Sequence, residues 1–91
     1  MKQSELVKLI EGGQVGCVVF FNWRVEKGDN PILGPDWQVW CWGVDGDNTA
    51  LEPFGNRLDT ERGTPKTYTS LDRALVALRG LGWKGVCEID G

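Results

Sequence analysis

Residues 15–25 have the sequence VGCVVFFNWRV, the most regularly alternating stretch of the chain. Every second residue from Val15 to Val25 is apolar, which is the period of a β-strand. The residues between them are apolar as well in the middle of the stretch, at Val18 and Phe20. A strand with two apolar faces is either central and covered on both sides, or part of a sheet that has an interface. We therefore predict a strand over 15–25 whose second apolar face needs a covering layer or a partner.

Upstream of this strand, residues 4–11 are predicted to form a helix of about two turns. Ser4 is a suitable N-cap, and the pair Gly12-Gly13 is a suitable end. The apolar side of the helix consists of Leu6, Leu9 and Ile10. A helix this short persists only when it is docked, so we expect its apolar side to pack on the sheet.

Downstream, residues 37–44 have the sequence WQVWCWGV and are predicted to form the second strand. Alternation divides its side chains into Trp37, Val39 and Cys41 on one side and Trp40, Trp42 and Val44 on the other. The sequence Asp-Gly-Asp-Asn at 45–48 indicates a turn. A third strand is predicted at 49–54, with Pro53 placing its end at a sheet edge.

Two stretches lack any apolar period and are predicted to be loops. Residues 26–36 contain two prolines and two glycines. Within them, Ile32 and Leu33 either tuck under the domain or form a recognition tip. Residues 55–66 are polar and irregular, and we predict that this segment is mobile.

A second helix is predicted to follow, capped by Thr69 or Ser70 and ended by Gly80 or Gly82. Its predicted buried side consists of Leu71, Ala74, Leu75 and Leu78. The last predicted strand, at 84–90, carries Val86, Cys87 and Ile89. The elements therefore follow one another in the order α-β-β-β-α-β.

This order predicts a single α+β domain over residues 1–91. Three consecutive strands joined by turns favour an antiparallel meander, and the last strand returns to pair after the second helix. We predict a small, mainly antiparallel four-stranded sheet with two helices packed on one face.

The charge of the chain disfavours several classes of partner. The formal net charge is -3 at pH 7, which gives no electrostatic attraction to nucleic acids or anionic membranes. Acids outnumber bases between Glu26 and Glu52, whereas bases outnumber acids between Arg57 and Lys84. No apolar run is long enough to cross a membrane.

The sequence offers no set of catalytic groups. It contains no histidine, the commonest general base and neutral metal ligand. Its close acid pairs, such as those at 45–47 and 59–61, lie in turn or loop sequences, where acids do not face each other across a cleft and Asp bonds to the local backbone. No glycine-rich phosphate motif follows a predicted strand. We predict that the protein is not an enzyme and requires neither a cofactor nor a metal ion.

The three cysteines, Cys17, Cys41 and Cys87, lie in apolar, strand-like stretches. Their odd number, and an N-terminus unlike a secretory signal, favour a reducing compartment, and we expect a cytoplasmic protein. In size and plain composition the chain is similar to short proteins carried by phages, plasmids and integrons, a resemblance that implies no site.

Tryptophan is the feature that points to a function. Four of the five tryptophans, Trp23, Trp37, Trp40 and Trp42, fall on the first two predicted strands, and Phe20 joins them. Alternation prevents all of these rings from sharing one face, so some must point outward. Outward tryptophans favour a binding surface, because they provide large, rigid contact area. The simpler alternative is a tryptophan-rich core in a small domain.

The leading prediction is a contact surface for a protein partner or a second copy of the chain. It would use the sheet face that bears Trp40, Trp42 and Phe20, or the opposite one that bears Trp23 and Trp37. The face without helices is preferred, and with it the pair Trp40 and Trp42.

Two other kinds of ligand are weaker alternatives. The first is a small molecule in an aromatic-lined pocket, oriented by Arg24, Arg57 or Arg62. The second is single-stranded nucleic acid stacked on the rings, which the acidic net charge disfavours.

Overall fold

The computed structural model describes residues 1–22 and 36–90, and these residues form an α+β domain as predicted. The helices are α1, Gln3–Glu11, and α2, Leu71–Gly80. The strands are β1, Val15–Asn22; β2, Trp37–Gly43; β3, Thr67–Tyr68; and β4, Cys87–Asp90. The predicted element order α-β-β-β-α-β is confirmed. Trp23, Arg24 and nearly all of the predicted loop 26–36 lie outside the described residues.

The four strands form one sheet in the order β3-β2-β1-β4. The β1–β2 and β2–β3 pairs are antiparallel, and the β1–β4 pair is parallel. The sheet is thus mainly antiparallel, as predicted, but mixed. The parallel pair arises because α2 carries the chain from β3, at one edge, to β4, at the other, so that both edge strands run in the direction of β1.

Both helices pack on the same face of the sheet. The core between them and the sheet combines Leu6 and Leu9 of α1, Ala74 and Leu78 of α2, and Val18, Phe20, Trp37, Val39 and Cys41 of the strands. The helix residues recur at three- and four-residue spacing, which places them on one side of each helix. The second face of the sheet therefore carries no helix in the described part of the chain.

The predicted strand at 49–54 is wrong. These residues form turns, in which the N–H groups of Leu51 and Glu52 both donate to the carbonyl oxygen of Asn48 at 2.9 Å. Leu51 is fully buried, so the apolar residue that suggested a strand instead anchors the turns to the core. The third strand is β3, which pairs with Trp37 and Gln38 of β2.

The segment 55–66, predicted to be mobile, is held against the outer edge of β2. Cys41 N–H donates to the carbonyl of Asn56 at 2.7 Å, and Leu58 N–H donates to that of Val39 at 2.8 Å. Leu58 is 1% exposed, which gives the segment an apolar anchor. These bonds place Arg57 directly opposite Trp40 in an antiparallel bridge.

The helix ends and sides match the sequence prediction in part. Ser70 caps α2, since its Oγ accepts the N–H of Arg73 at 3.2 Å, and the helix ends at Gly80. Ser4 is not the cap of α1, because the helix starts at Gln3 and its N-cap is Lys2, two residues earlier. Leu75 of α2, predicted to be buried, is 37% exposed.

A β-bulge shifts the alternation of β1. The register to β2 changes between Val15 and Cys17, so one residue of β1 has no partner. As a result Val15 is buried together with Val18 and Phe20, although strict alternation places it with Cys17. The predicted division of β1 into two faces therefore holds only after the bulge.

Candidate functional site

The sheet face opposite the helices is the candidate site, and we call it the open face. Cross-strand partners in a sheet share a face, and Val19 pairs with Trp40 and Cys17 with Trp42. Glu88 and Asp90 of β4 lie beside Val19 and Phe21. The open face thus comprises Cys17, Val19 and Phe21 of β1, Gln38, Trp40 and Trp42 of β2, and Glu88 and Asp90 of β4.

The structure corrects the predicted grouping of aromatic residues. Phe20 was expected beside Trp40 and Trp42, but it pairs with Val39, is 3% exposed and lies in the core on the helix-covered face. Trp37 is also buried in that core. Trp40 and Trp42 do share the face that carries no helix of the described residues. The sequence could not assign Phe20, because β1 is apolar on both faces.

Trp40 and Trp42 form one stacked aromatic surface. Their ring centroids are 6.3 Å apart and their planes are inclined by 26°. The Nε1–H of Trp40 donates to Oε1 of Gln38 at 3.0 Å, so its polar edge is already satisfied within β2. Trp42 is 37% exposed. The pair therefore presents mainly apolar ring area to solvent.

A shallow apolar depression of about 150 Å³ lies in the open face. It is lined by Val19, Phe21, Trp40, Trp42 and Asp90. Sequence reasoning missed Asp90, because only the parallel pairing of β4 with β1 brings this carboxylate beside the aromatic rings. The volume accommodates a single side chain and is below the roughly 300 Å³ of a typical small-molecule pocket.

The two borders of the open face differ in charge. On the β4 side, Glu88 and Asp90 form no ion pair with another described residue. On the opposite side, Nε of Arg57 contacts Oδ1 of Asp59 at 2.6 Å. Oδ2 of Asp59 also accepts a hydrogen bond from the N-terminal ammonium group of Met1 at 3.3 Å. The β4 border is therefore the one with uncompensated negative charge among the described residues.

The three cysteines of the described residues are free thiols, of which Cys41 is buried and Cys17 and Cys87 are half-buried. Cys41 is completely buried, and burial, with smaller effects of the Cys17 and Cys87 thiols, raises its pKa to about 12. Partial burial, and then the charge of Glu88, raises the pKa of Cys17 on the open face. A raised pKa lowers the thiolate fraction at neutral pH, and the thiolate is the reactive form.

The raised pKa of Cys41 predicts a loss of stability at alkaline pH. In the unfolded chain the thiol ionises near 9.0, whereas in the fold it stays neutral up to about 12. The unfolded state therefore binds fewer protons between these values, and this stabilising contribution, complete below the lower pKa, is lost as pH rises toward the upper one. We expect the free energy of unfolding to fall by up to about 1.4 kcal/mol per pH unit from this group.

Urea unfolding of the wild type and of Cys41→Ala across this pH range measures the effect. The variant lacks the thiol, so its stability should decline less steeply with pH. Parallel declines in the two proteins would contradict the prediction, since lysine and tyrosine ionisation is common to both.

Comparison with protein-family models, with curated proteins and with solved structures finds no match for this chain. Within residues 1–22 and 36–90, no group of histidine, cysteine, aspartate or glutamate side chains is arranged to hold a metal ion. In the same residues no helix has the length and apolar character needed to cross a membrane. The function is therefore argued from the open face.

Proposed function

We propose that this protein is a non-enzymatic binding module that contacts a protein partner, or a second copy of itself, through the open face. The observation that carries the proposal is the pair Trp40 and Trp42, stacked on a sheet face that no described helix covers. Tryptophan is enriched at the energetic centres of protein interfaces because it buries much area with few rotors. Val19 and Phe21 extend the same apolar surface on β1.

The size of the open face favours a weak or short contact. β1 has eight residues and spans about 26 Å at ~3.3 Å per residue. Four strands spaced by about 4.8 Å are about 19 Å wide. The described face therefore provides at most about 500 Å², less than the roughly 800 Å² per partner of a stable interface. We expect self-association with a dissociation constant of about 100 µM, or recognition of a short segment of another protein.

The alternative ligands fit the open face less well. The depression is smaller than a small molecule of ordinary size requires. A wider hollow of about 430 Å³ lies beside α2, lined by Tyr68, Asp72, Arg73, Val76 and Ala77, but it is too open to enclose such a ligand. A nucleic acid strand stacked on Trp40 and Trp42 would meet the carboxylates of Glu88 and Asp90, which repel phosphates.

Sedimentation equilibrium of the wild type and of the double variant Trp40→Ala/Trp42→Ala tests the proposal. At about 1 mM, the wild type should show an average mass above that of one chain, because this concentration exceeds the expected dissociation constant. The double variant should stay folded and show the mass of one chain. Peptides selected from a display library against the wild type provide a second test, since their binding should be lost in the double variant.

Phe54→Ala is the matched control, because Phe54 is an aromatic residue with 42% exposure outside the open face. It should associate and bind the selected peptides like the wild type. The proposal fails if the wild type is monomeric at this concentration and no selected peptide distinguishes it from the double variant.

The cytoplasm remains the compartment that we propose. Three free cysteines among the described residues are compatible with a reducing environment, where thiols persist unpaired. The low thiolate fraction of Cys17 and Cys41 likewise supports a structural role for these residues and a non-enzymatic protein.

A further inference from the structure

The depression in the open face combines aromatic rings with a carboxylate. Phe21, Trp40 and Trp42 supply three rings, and Asp90 lies at the border. We propose that this depression receives the side chain of an arginine of the partner protein, an inference that rests on the proposed function of the open face. The guanidinium group would stack on the indoles and pair with the Asp90 carboxylate.

The stacked indoles favour a flat cation. The face of an aromatic ring is electron-rich and attracts cations, and tryptophan does so most strongly. Trp40 and Trp42 are stacked with centroids 6.3 Å apart, and both rings line the depression, so a cation there lies close to two indoles. Because Gln38 already accepts the Nε1–H of Trp40, that donor group is not needed by a ligand. A planar guanidinium covers this surface better than a compact ammonium group.

The carboxylates on β4 supply the complementary charge. Asp90 lines the depression, and Glu88 lies two residues earlier on the same face. Neither forms an ion pair with another described residue, so both are available to a cationic partner. The field of Glu88 also reaches Cys17, whose pKa is raised by burial and then by this charge. Cys17 is also the cross-strand neighbour of Trp42.

The volume of the depression limits the ligand to one side chain. About 150 Å³ is available, bounded by Val19 and the three rings. An arginine can bury its methylene stem against such apolar groups while its head pairs with a carboxylate at the rim. A neutral side chain of the same shape would leave Asp90 and Glu88 uncompensated.

Titration of the isotope-labelled full chain with short capped peptides tests this proposal. The probes are acetyl-Gly-X-Gly-amide peptides in which X is arginine, citrulline or lysine, followed by NMR up to about 20 mM. The arginine peptide should shift the indole Nε1–H signals of Trp40 and Trp42. Citrulline, which is neutral and nearly isosteric, should bind about tenfold more weakly, and lysine severalfold more weakly.

The protein variants separate a local site from the net charge. Asp90→Asn should weaken binding of the arginine peptide at least about fivefold. Asp45→Asn removes the same charge elsewhere and should leave binding unchanged. This control should fold like the wild type, because Asp45 has a φ of 55°, a conformation that asparagine tolerates. Trp42→Ala should weaken binding by a similar factor to Asp90→Asn, which provides a second test if Asp90→Asn does not fold.

Several results would overturn the proposal. They are equal binding of the citrulline peptide, equal binding of the lysine peptide, or an effect of Asp45→Asn as large as that of Asp90→Asn. Absence of any shift at Trp40 and Trp42 would also overturn it. Even then, sedimentation equilibrium would still test the open face as a contact surface, because it measures association and not peptide binding.

Discussion

Replacing Gly43 by alanine is expected to lower the free energy of unfolding by about 3 kcal/mol, a large fraction of the stability of a small domain. A Cβ atom at this position would overlap the carbonyl oxygen of Asp47. The N–H of Gly43 donates to Oδ1 of Asn48 at 2.8 Å, which holds the two backbones together. The obstacle is main chain, so no rotamer change can relieve it. Thermal unfolding followed by circular dichroism should show a midpoint more than about 10 °C below that of the wild type.

The turn that follows Gly43 has little freedom to move away. The carboxylate of Asp47 accepts both the N–H and the hydroxyl of Thr49, at 3.0 and 2.6 Å. On the other side, a Cβ at Gly16 of the β-bulge would lie 2.6 Å from the carbonyl oxygen of Gly43. The end of β2 is therefore enclosed by backbone on two sides, so an alanine there must displace either the turn or the bulge.

Gly80→Ala is the matched control for Gly43→Ala. Gly80 is the last residue of α2, and a Cβ at this position would have no atom within 4 Å. Alanine has the higher helix propensity, by about 1 kcal/mol in a helix interior, so the control should be as stable as the wild type or slightly more stable. A Gly43→Ala midpoint within about 2 °C of the wild type would contradict the prediction.

The local elements of this fold could be predicted from sequence, whereas their pairing could not. Alternation identified β1 and β2, and a cap with a four-residue apolar spacing identified α2. The predicted strand at 49–54 was wrong because one buried leucine, Leu51, is equally compatible with a turn that is anchored in the core. The segment 55–66 was judged by its polarity, although Leu58 and two backbone bonds attach it to β2.

The alternation of residues along each strand predicted only part of the candidate site. Alternation within β2 placed Trp40 and Trp42 together on one face and Trp37 on the other. It could not show which face the helices cover, nor that Phe20 joins the core, because β1 is apolar on both sides. Asp90 joins the site through the parallel pairing of β4 with β1, two strands far apart in the sequence, and such a pairing leaves no local signal.

Replacing Trp37 by alanine is expected to lower the free energy of unfolding by about 3–5 kcal/mol. Trp37 is 8% exposed and belongs to the core between the sheet and the helices. It is also the cross-strand partner of Tyr68, so its loss leaves β3, only two residues long, without its aromatic neighbour. Urea unfolding followed by circular dichroism measures the change without depending on tryptophan fluorescence.

Trp42→Ala makes the same truncation on the same strand, but on the open face. Comparing the two variants separates the role of tryptophan in the core from its role on the exposed surface. Trp42 is 37% exposed, so its removal should lower the free energy of unfolding by no more than about 1 kcal/mol. Equal losses for the two variants would mean that Trp42 is as much a core residue as Trp37, which would contradict its assignment to a surface that is free for a partner. A large loss at Trp37 with a small one at Trp42 is the pattern expected of a sheet that packs its helices on one face and leaves aromatic surface free on the other.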